Sequence, residues 1–347
     1  MTIAAVLLAV LALSPQARPR QLPPLPIQHL FTPAPPDLDA PSWALHAVDE
    51  DVELVAHNGD VRRPMASLTK IMTALVMVEN SSPAEPVTIS SKAAATGAGY
   101  AGPVRLREGQ VWTVGELLAK LLVESANDAG VALAEHVAGS EDAFIDAMNL
   151  RAVELGLNDT RFANPPGLDA DGHFSTARDL VTLTTVAIQD PIISRTLRVR
   201  ATVFRPDPSQ EPFRAGSTNR LLGTFPGVLG GKTGDTRAAG KVLISFADTG
   251  NVRLVGVVLG AEDHFGAMRR LLAYGFTAFG PKDHFYATGR GEESVALLPD
   301  WLQARLAAPR PLDDGQWAQS PPGGTPLERL IADRLLDLIP ESLGGRP

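Results

Sequence analysis

The sequence contains no cysteine, which excludes disulfide bonds, thiolate zinc sites and cysteine nucleophiles together. The same absence leaves the redox compartment of the protein undetermined. The seven histidines are scattered, with no H-E-x-x-H motif and no paired spacing. We therefore expect no metal site.

Basic charge and aromatic rings are also scarce. The 31 Lys and Arg residues are outnumbered by 39 Asp and Glu, which gives a net charge of −8 and a pI near 5.4. Because a nucleic-acid surface needs excess basic charge, this balance argues against nucleic acid as a partner. With 5% aromatic residues, a base-stacking platform is also unsupported. The 44% apolar content over 347 residues is typical of a globular protein with one large or two modest domains.

Long apolar runs are limited to the N-terminus. Residues 3–13 are apolar but too few to span a bilayer comfortably. They predict a secretory signal peptide over residues 1–17, with an uncleaved anchor or a buried strand as alternatives. Prolines recur through residues 18–41, which predicts an extended linker. We expect the protein outside the cytoplasm, either secreted or attached to the outer face of the cytoplasmic membrane.

Hydrophobic periodicity between residues 42 and 280 predicts one α+β domain. Helical patterns follow an alternating hairpin, and β-branched runs come before the closing helix. In chain order, we predict a hairpin at 43–57, helices at 117–123, 129–137, 143–155 and 176–188, a hairpin at 241–260 and a helix at 265–276. This order favours helices packed on an antiparallel sheet, together with a largely helical subdomain.

Residues 281–347 are predicted to form a short C-terminal extension. Pro and Gly are frequent over residues 309–325, and apolar residues recur at helical spacing over 327–339. The predicted amphipathic helix either packs on the domain or lies in the plane of a membrane. Its polar residues are mixed in sign rather than basic, which favours packing.

Three short motifs carry the chemistry of the sequence. Ser67 and Lys70 stand three residues apart near the start of a predicted helix, so their side chains share one face. This S-x-x-K pattern alone would occur about once by chance in a chain of this length. Ser125-Ala126-Asn127 and Lys232-Thr233-Gly234 follow it in the chain. All three motifs in this order form a much more specific signal.

The three motifs resemble those of the penicillin-recognising serine enzymes, and more closely those of the low-molecular-mass D-alanyl-D-alanine carboxypeptidases. The similarity covers residues 42–278, including the stretches 164–169, 172–180, 219–222 and 271–276. It implies a penicillin-binding, β-lactamase-like domain without metal or cofactor. It also implies a serine-type carboxypeptidase that trims the terminal D-Ala of peptidoglycan stem peptides, with β-lactams as covalent inhibitors.

The resemblance assigns catalytic roles to three side chains. Ser67 would attack the substrate carbonyl and form an acyl-enzyme, and Lys70 would take its proton. Ser125 would pass a proton towards the leaving nitrogen. A lysine base must be largely neutral, and both burial and the nearby charge of Lys232 would lower the pKa of Lys70.

A second group of residues is predicted to hold the substrate: Asn127, Lys232, Thr233, Gly234, Asp235 and Arg220. The ammonium of Lys232 and the hydroxyl of Thr233 suit a terminal carboxylate. Gly234 would let the substrate lie against a strand edge without a Cβ clash. The backbone amides of Ser67 and Asp235 would form an oxyanion hole. Arg220 either adds to the field that attracts the carboxylate or is a structural ion-pair partner.

Alternative functions share much of this pattern. A class A β-lactamase needs a glutamate-held water, but residues 156–172 offer only Asp159, Asp169 and Asp171. A D,D-endopeptidase cleaves the same type of bond, and a non-catalytic penicillin-binding module stays open as well. The loop at 261–264 is short and acidic where many family members carry an arginine. His173 is expected to be a structural hydrogen-bonding residue rather than a catalytic one.

Overall fold

The computed structural model describes residues 34–97, 105–204, 212–250 and 252–279. The strands are β1 (Ser42–Ala47), β2 (Val52–His57), β3 (Pro86–Thr88), β4 (Val111–Thr113), β5 (Ala201–Phe204), β6 (Phe213–Gly216), β7 (Val228–Thr236), β8 (Gly240–Asp248) and β9 (Arg253–Ala261). The α-helices are α1 (Lys70–Asn80), α2 (Ser91–Thr96), α3 (Val114–Ala119), α4 (Asn127–Ala138), α5 (Glu141–Glu154), α6 (Ala177–Ala187), α7 (Pro191–Arg198) and α8 (His264–Phe279). The predicted signal peptide, most of the predicted linker and the C-terminal extension lie outside the described residues.

An antiparallel sheet with the strand order β2-β1-β9-β8-β7 forms the centre of the fold. The hairpins β1–β2 and β8–β9 are joined by antiparallel pairing of β1 with β9, in which Trp43 lies opposite Val258. Both predicted hairpins are therefore confirmed. Because β7 stands at the end of this order, one of its edges has no strand partner among the described residues.

Side chains alternate between the two faces of the sheet, and each face is covered. On one face, Leu45 and Leu254 pack with Met268 and Leu271 of α8. The neighbouring strand residues, such as Val255, join the larger core that contains α1 and α6. A two-residue period on strands places successive side chains on opposite faces, so both faces need apolar residues here.

Helix α1 lies inside the helical part of the molecule. All of its residues from Lys70 to Met77 are buried. Neighbouring elements in contact with it include α4, α5 and α6. Helix α1 is therefore buried around its whole circumference, as expected for a core helix.

Several elements were not predicted. Helix α2, helix α7 and the small β5–β6 hairpin are absent from the predicted order. Helix α7 nevertheless has ordinary start signals, because the Asp190 side chain caps it and Pro191 is its first residue. Leu38 and Ala40 are buried in the α8-side core, so the packed domain begins before residue 42.

The described residues from Pro35 onward belong to one compact unit. Within this described part of the chain, no helix combines the length and the apolar character needed to cross a membrane. The observed mixture of helices with an antiparallel sheet confirms the predicted α+β class.

Candidate active site

Ser67 lies in a tight 3-10 turn (Ala66–Thr69) that leads directly into α1, rather than in the α-helix that the sequence predicted. In a 3-10 turn, side chains at positions i and i+3 are nearly eclipsed, which aligns Ser67 with Lys70. Ala66 has φ +48°, a left-handed conformation that costs a non-glycine residue roughly 1–2 kcal/mol. The turn thus presents a partly exposed serine between buried neighbours.

Lys70 is fully buried, and its hydrogen-bond partners among the described residues are neutral oxygen atoms. Its Nζ lies 2.8 Å from Ser67 Oγ, 2.8 Å from Asn127 Oδ1 and 2.5 Å from the Pro166 carbonyl oxygen. Burial, and then the charge of Lys232, hold the pKa of Lys70 well below its ordinary value, while Asp128 opposes them. A neutral amine has two N–H donors and one lone pair. It can therefore donate to Asn127 and Pro166 and accept a proton from Ser67.

Ser125 follows a π-helical turn (Lys120–Glu124) at the end of α3. Its backbone is left-handed at φ +68°, and Ala126 N–H donates to the Lys120 carbonyl oxygen at 3.0 Å. Single π-helical turns inside helices are frequent at functional sites. Here the turn ends one α-helical segment and lets the next begin at Asn127, so that Ser125 and Asn127 each reach a different buried lysine.

Lys232 is the second buried lysine of the site and lies on the edge strand β7. Its Nζ donates to Ser125 Oγ and to the Thr233 carbonyl oxygen, both at 2.8 Å. Burial lowers the pKa of Lys232 to about 7. The hydroxyl of Thr233 donates to Thr218 Oγ1 at 2.5 Å, which connects β7 to the segment after β6.

Strand β7 packs against the Ser67 turn at Gly234. A Cβ at this position would lie 2.8 Å from the Ser67 backbone nitrogen and 2.9 Å from the Ala66 Cβ. Only glycine allows this approach without a shift of the backbone. Asp235 follows on the same strand, is exposed, and pairs with Lys241 of β8.

The sequence model of the family described as D-alanyl-D-alanine carboxypeptidase, peptidase family S11, matches residues 29–263. The chain belongs to this family. It is 34% identical over 249 residues to the D-alanyl-D-alanine carboxypeptidase DacF of Bacillus subtilis, and 36% identical over 256 residues to DacC of Escherichia coli. Both alignments cover 70% of this chain and 63% of the relative. The chain therefore spans less than two thirds of the length of these curated relatives.

Solved structures agree with this S11 family assignment. A D-alanyl-D-alanine carboxypeptidase from Mycobacterium tuberculosis is 30% identical, with a TM-score of 0.66 over 72% of this chain and 96% of that one. The Streptomyces K15 DD-transpeptidase is 27% identical, with a TM-score of 0.67 over 70% of this chain and 99% of that one. The predicted family and its penicillin-binding fold are confirmed.

Most site residues that the sequence predicted for an S11 peptidase are brought together. Ser67, Lys70 and Asn127 are hydrogen-bonded to one another through Lys70, and Ser125 is bonded to Lys232. Arg220 is exposed, and its guanidinium carbon lies 5.8 Å from the Phe265 ring centroid. Its expected contribution to carboxylate binding stays a prediction.

A loop over residues 164–173 closes the site on the side of α1. The Asn164 side chain accepts from the Gly167 and Leu168 backbone amides, both at 2.8 Å. The loop presents two carbonyl oxygens to α1, from Pro165 to Thr73 Oγ1 at 2.7 Å and from Pro166 to Lys70. The Asn-Pro-Pro-Gly sequence alone does not indicate these contacts with α1 and the catalytic lysine candidate.

Two residues with a structural connection to Ser67 were missed as site residues. Thr69 lies between the two ends of the S-x-x-K motif, and His173 is buried against it at 2.8 Å. No group of His, Asp or Glu residues in the described part of the chain is arranged to hold a metal ion.

Proposed function

We propose that this protein is a serine-type D-Ala-D-Ala carboxypeptidase that trims the terminal D-Ala of peptidoglycan stem peptides through an acyl-enzyme on Ser67. The observation that carries this proposal is the contact between Lys70 Nζ and Ser67 Oγ at 2.8 Å. Lys70 is fully buried and its pKa is strongly lowered, so it suits proton abstraction from the serine hydroxyl.

In the proposed acylation, Ser67 Oγ attacks the carbonyl carbon of the penultimate D-Ala while its proton passes to Lys70 Nζ. The oxyanion of the tetrahedral intermediate accepts hydrogen bonds from the Ser67 and Asp235 amides, each worth roughly 3–4 kcal/mol. When the peptide C–N bond breaks, Ser125 delivers a proton to the leaving nitrogen of D-Ala. The Lys232 ammonium, which donates to Ser125 Oγ, replaces that proton. Water then attacks the ester carbonyl and returns a proton through Ser125 to Lys232, while Lys70 gives its proton back to Ser67 Oγ as the ester C–O bond breaks.

Recognition of the substrate is proposed to rest on β7. The Lys232 ammonium and the Thr233 hydroxyl bind the terminal carboxylate, and Arg220 adds positive charge further out. The outer edge of β7 pairs with the substrate backbone at Gly234, where the absence of a side chain leaves room. The Asn127 side chain holds the substrate amide and Lys70 in register.

A β-lactamase activity is not favoured. Asp159 is engaged with Arg62 at 2.7 Å, and the Asp169 carboxylate accepts from the Ala238 amide at 3.0 Å. Asp171 is exposed. Around Lys70, the described residues present a backbone carbonyl from Pro166 where a lactamase would need a carboxylate to activate water. Penicillin should therefore leave a persistent adduct, and β-lactams are proposed as covalent inhibitors.

We place this activity outside the cytoplasmic membrane, where peptidoglycan stem peptides are found. Secretion or attachment to the outer face of the membrane fits the apolar run and the proline-rich stretch at the N-terminus. Peptidoglycan stem peptides are the proposed partners, and nucleic acid is not.

The test uses the full chain, a Ser67→Ala variant and a matched Ser82→Ala control on an exposed loop. We expect a fluorescent penicillin to label Ser67 of the parent, as mapped by mass spectrometry, and the parent to release D-Ala from a pentapeptide. Ser67→Ala should lose both activities, and Ser82→Ala should keep both.

Four outcomes would redirect the proposal. Release of D-Ala by Ser67→Ala at the parent rate would overturn it. Labelling of Ser67 without release of D-Ala would indicate a non-catalytic penicillin-binding module. Faster cleavage of cross-linked dimers than of pentapeptides would indicate an endopeptidase, and rapid nitrocefin turnover would indicate a β-lactamase.

A further inference from the structure

A chain of hydrogen bonds connects His173 with the residue before Ser67. The Ala163 backbone N–H donates to His173 Nδ1 at 2.9 Å, and His173 Nε2 lies 2.8 Å from Thr69 Oγ1. The Thr69 hydroxyl in turn donates to the Ala66 carbonyl oxygen at 2.8 Å. His173 and Thr69 are both buried, at 5% and 0% exposure, so water does not compete for these bonds.

The direction of each bond in this chain is determined. Because a backbone N–H donates to Nδ1, the neutral imidazole must carry its proton on Nε2 and donate it to Thr69. Thr69 has one hydroxyl proton, which goes to Ala66. Burial lowers the pKa of His173 to about 4, with the Lys70 charge acting in the same direction and Asp169 opposing. The ring is therefore neutral at physiological pH and has a single tautomer.

The final acceptor in the chain belongs to the peptide group that contains the Ser67 amide. The Ala66 C=O and the Ser67 N–H form one planar trans unit, in which the two bonds point in opposite directions. A hydrogen bond that fixes the Ala66 oxygen therefore fixes the direction of the Ser67 N–H. It also polarises the amide, which makes the N–H a better donor.

The conformation of this peptide group has to be stabilised by its surroundings, because the backbone at Ala66 is strained. Ala66 has the unfavourable φ of +48°, a conformation that persists only when surrounding contacts determine it. Gly167 (φ +83°) packs directly against the Ala66 carbonyl, and a Cβ there would also lie 2.8 Å from Thr69 Oγ1. On the opposite side, the Ser67 nitrogen faces Gly234 of β7.

We propose that His173 is a positioning residue that, through Thr69, aligns the Ser67 amide as an oxyanion-hole donor. This inference rests on the proposed acylation of Ser67. The loop over residues 164–173 then has two roles. Its Pro166 carbonyl oxygen contacts Lys70, and its His173 sets the direction of the Ser67 amide that stabilises the transition state.

Two matched pairs of substitutions separate this role from simple packing. In His173→Gln, the side-chain amide can replace the Nε2 donor to Thr69, whereas in His173→Asn it can replace only the Nδ1 acceptor for Ala163. Thr69→Val removes the hydroxyl at nearly constant volume, and Thr69→Ser restores it. His136→Asn is the remote histidine control, because His136 contacts Glu85 away from the site.

We expect His173→Asn and Thr69→Val to lower the rate of Ser67 labelling by fluorescent penicillin about tenfold or more, part of the 10²–10³-fold effect of losing a complete oxyanion donor. The infrared carbonyl band of their acyl-enzymes should move to higher frequency. The KM for a pentapeptide should stay near the parent value, because the carboxylate contacts on β7 are unchanged. His173→Gln, Thr69→Ser and His136→Asn should stay close to the parent.

The outcomes distinguish this inference from the function on which it rests. If penicillin does not label Ser67 of the parent, the proposed function fails and the inference fails with it. If the parent is labelled but His173→Asn and Thr69→Val keep the parent rate and carbonyl frequency, the inference alone is overturned. Equal impairment of His173→Asn and His173→Gln with an unchanged carbonyl band would also overturn it. If the His173 variants do not fold, the Thr69→Val and Thr69→Ser pair decides between these outcomes.

Discussion

Within the described residues, buried lysines occur in two regions, and their surroundings differ. Lys70 and Lys232, in the candidate active site, contact hydroxyl, amide and carbonyl oxygens. Lys120, at the start of the π-helical turn, is equally buried but lies 2.9 Å from the Glu124 carboxylate. Its ammonium also lies over the rings of Trp112, Phe204 and Phe213, at 5.1–5.7 Å from their centroids.

The difference shows how one residue type can serve two purposes at the same depth. A neighbouring carboxylate favours the charged form of a lysine, whereas neutral oxygens leave the cost of desolvation uncompensated. Burial therefore lowers the pKa of both site lysines. In the Lys120 region, burial instead raises the pKa of Glu124, although Lys120 opposes this shift. The site lysines are suited to exchange protons, and Lys120 is suited to hold the turn before Ser125.

The largest expected effect comes from breaking the structural pair. Lys120→Met would leave the Glu124 carboxylate buried without its ammonium, which should lower the free energy of unfolding by about 3–5 kcal/mol. Lys232→Met removes a buried charge that has no carboxylate partner among the described residues, so stability should stay within about 1 kcal/mol of the parent or rise.

Urea denaturation of the full chain measures both changes. The double variant Lys120→Met with Glu124→Gln serves as a control, because it removes both charges and should recover part of the lost stability. Equal stability of Lys120→Met and the parent would contradict the comparison, since the ion pair would then contribute nothing to the fold.

The second prediction concerns a variant in which a carboxylate lies beside Lys70, as Glu124 lies beside Lys120. Asn127→Asp places a carboxylate 2.8 Å from Lys70 Nζ with almost no change in shape. The new charge should raise the pKa of Lys70, so most of the amine would be protonated at pH 7 and unable to accept the serine proton. We expect labelling by penicillin to be about 10²-fold slower at pH 7, within the usual range for loss of a general base.

The sign of this effect can be checked through its pH dependence. Raising the pH returns Lys70 of Asn127→Asp to its neutral form, so the labelling rate should recover as the solution becomes alkaline. Asn80→Asp, at the far end of α1, is the matched control and should label like the parent. A pH-independent loss in Asn127→Asp would mean that Asn127 acts only by its shape or through its amide donor.

Local features of the site could be predicted from the sequence because they depend on short spacing. The three-residue separation of Ser67 and Lys70 places them on one face in either an α-helix or a 3-10 turn. The pattern therefore predicted their contact but not the turn type. The alternating residues of β1 and β2 likewise predicted the first hairpin, and the β-branched runs of β8 and β9 predicted the second.

Features that depend on distant partners were not predictable. The π-helical turn before Ser125 is held by Lys120, whose ring contacts come from β4, β5 and β6. His173 and Thr69 are 104 residues apart, and nothing in either local sequence indicates their contact. The sequence correctly favoured a hydrogen-bonding role for His173, but its partner and direction follow only from the fold.

The smallest predicted effect concerns the second site lysine and the substrate that it is proposed to hold. With a pKa of about 7, Lys232 is charged below neutrality and loses its charge as the pH rises. If the ammonium binds the terminal carboxylate, the KM for a pentapeptide should rise about tenfold for each pH unit above 7, because the charged fraction falls by that factor. Lys232→Arg keeps its charge throughout this range, so its KM should be higher than that of the parent at pH 6 but flat to pH 9. A flat KM in the parent would show that carboxylate binding does not depend on the charge of Lys232. It would leave Arg220 as the residue to test next.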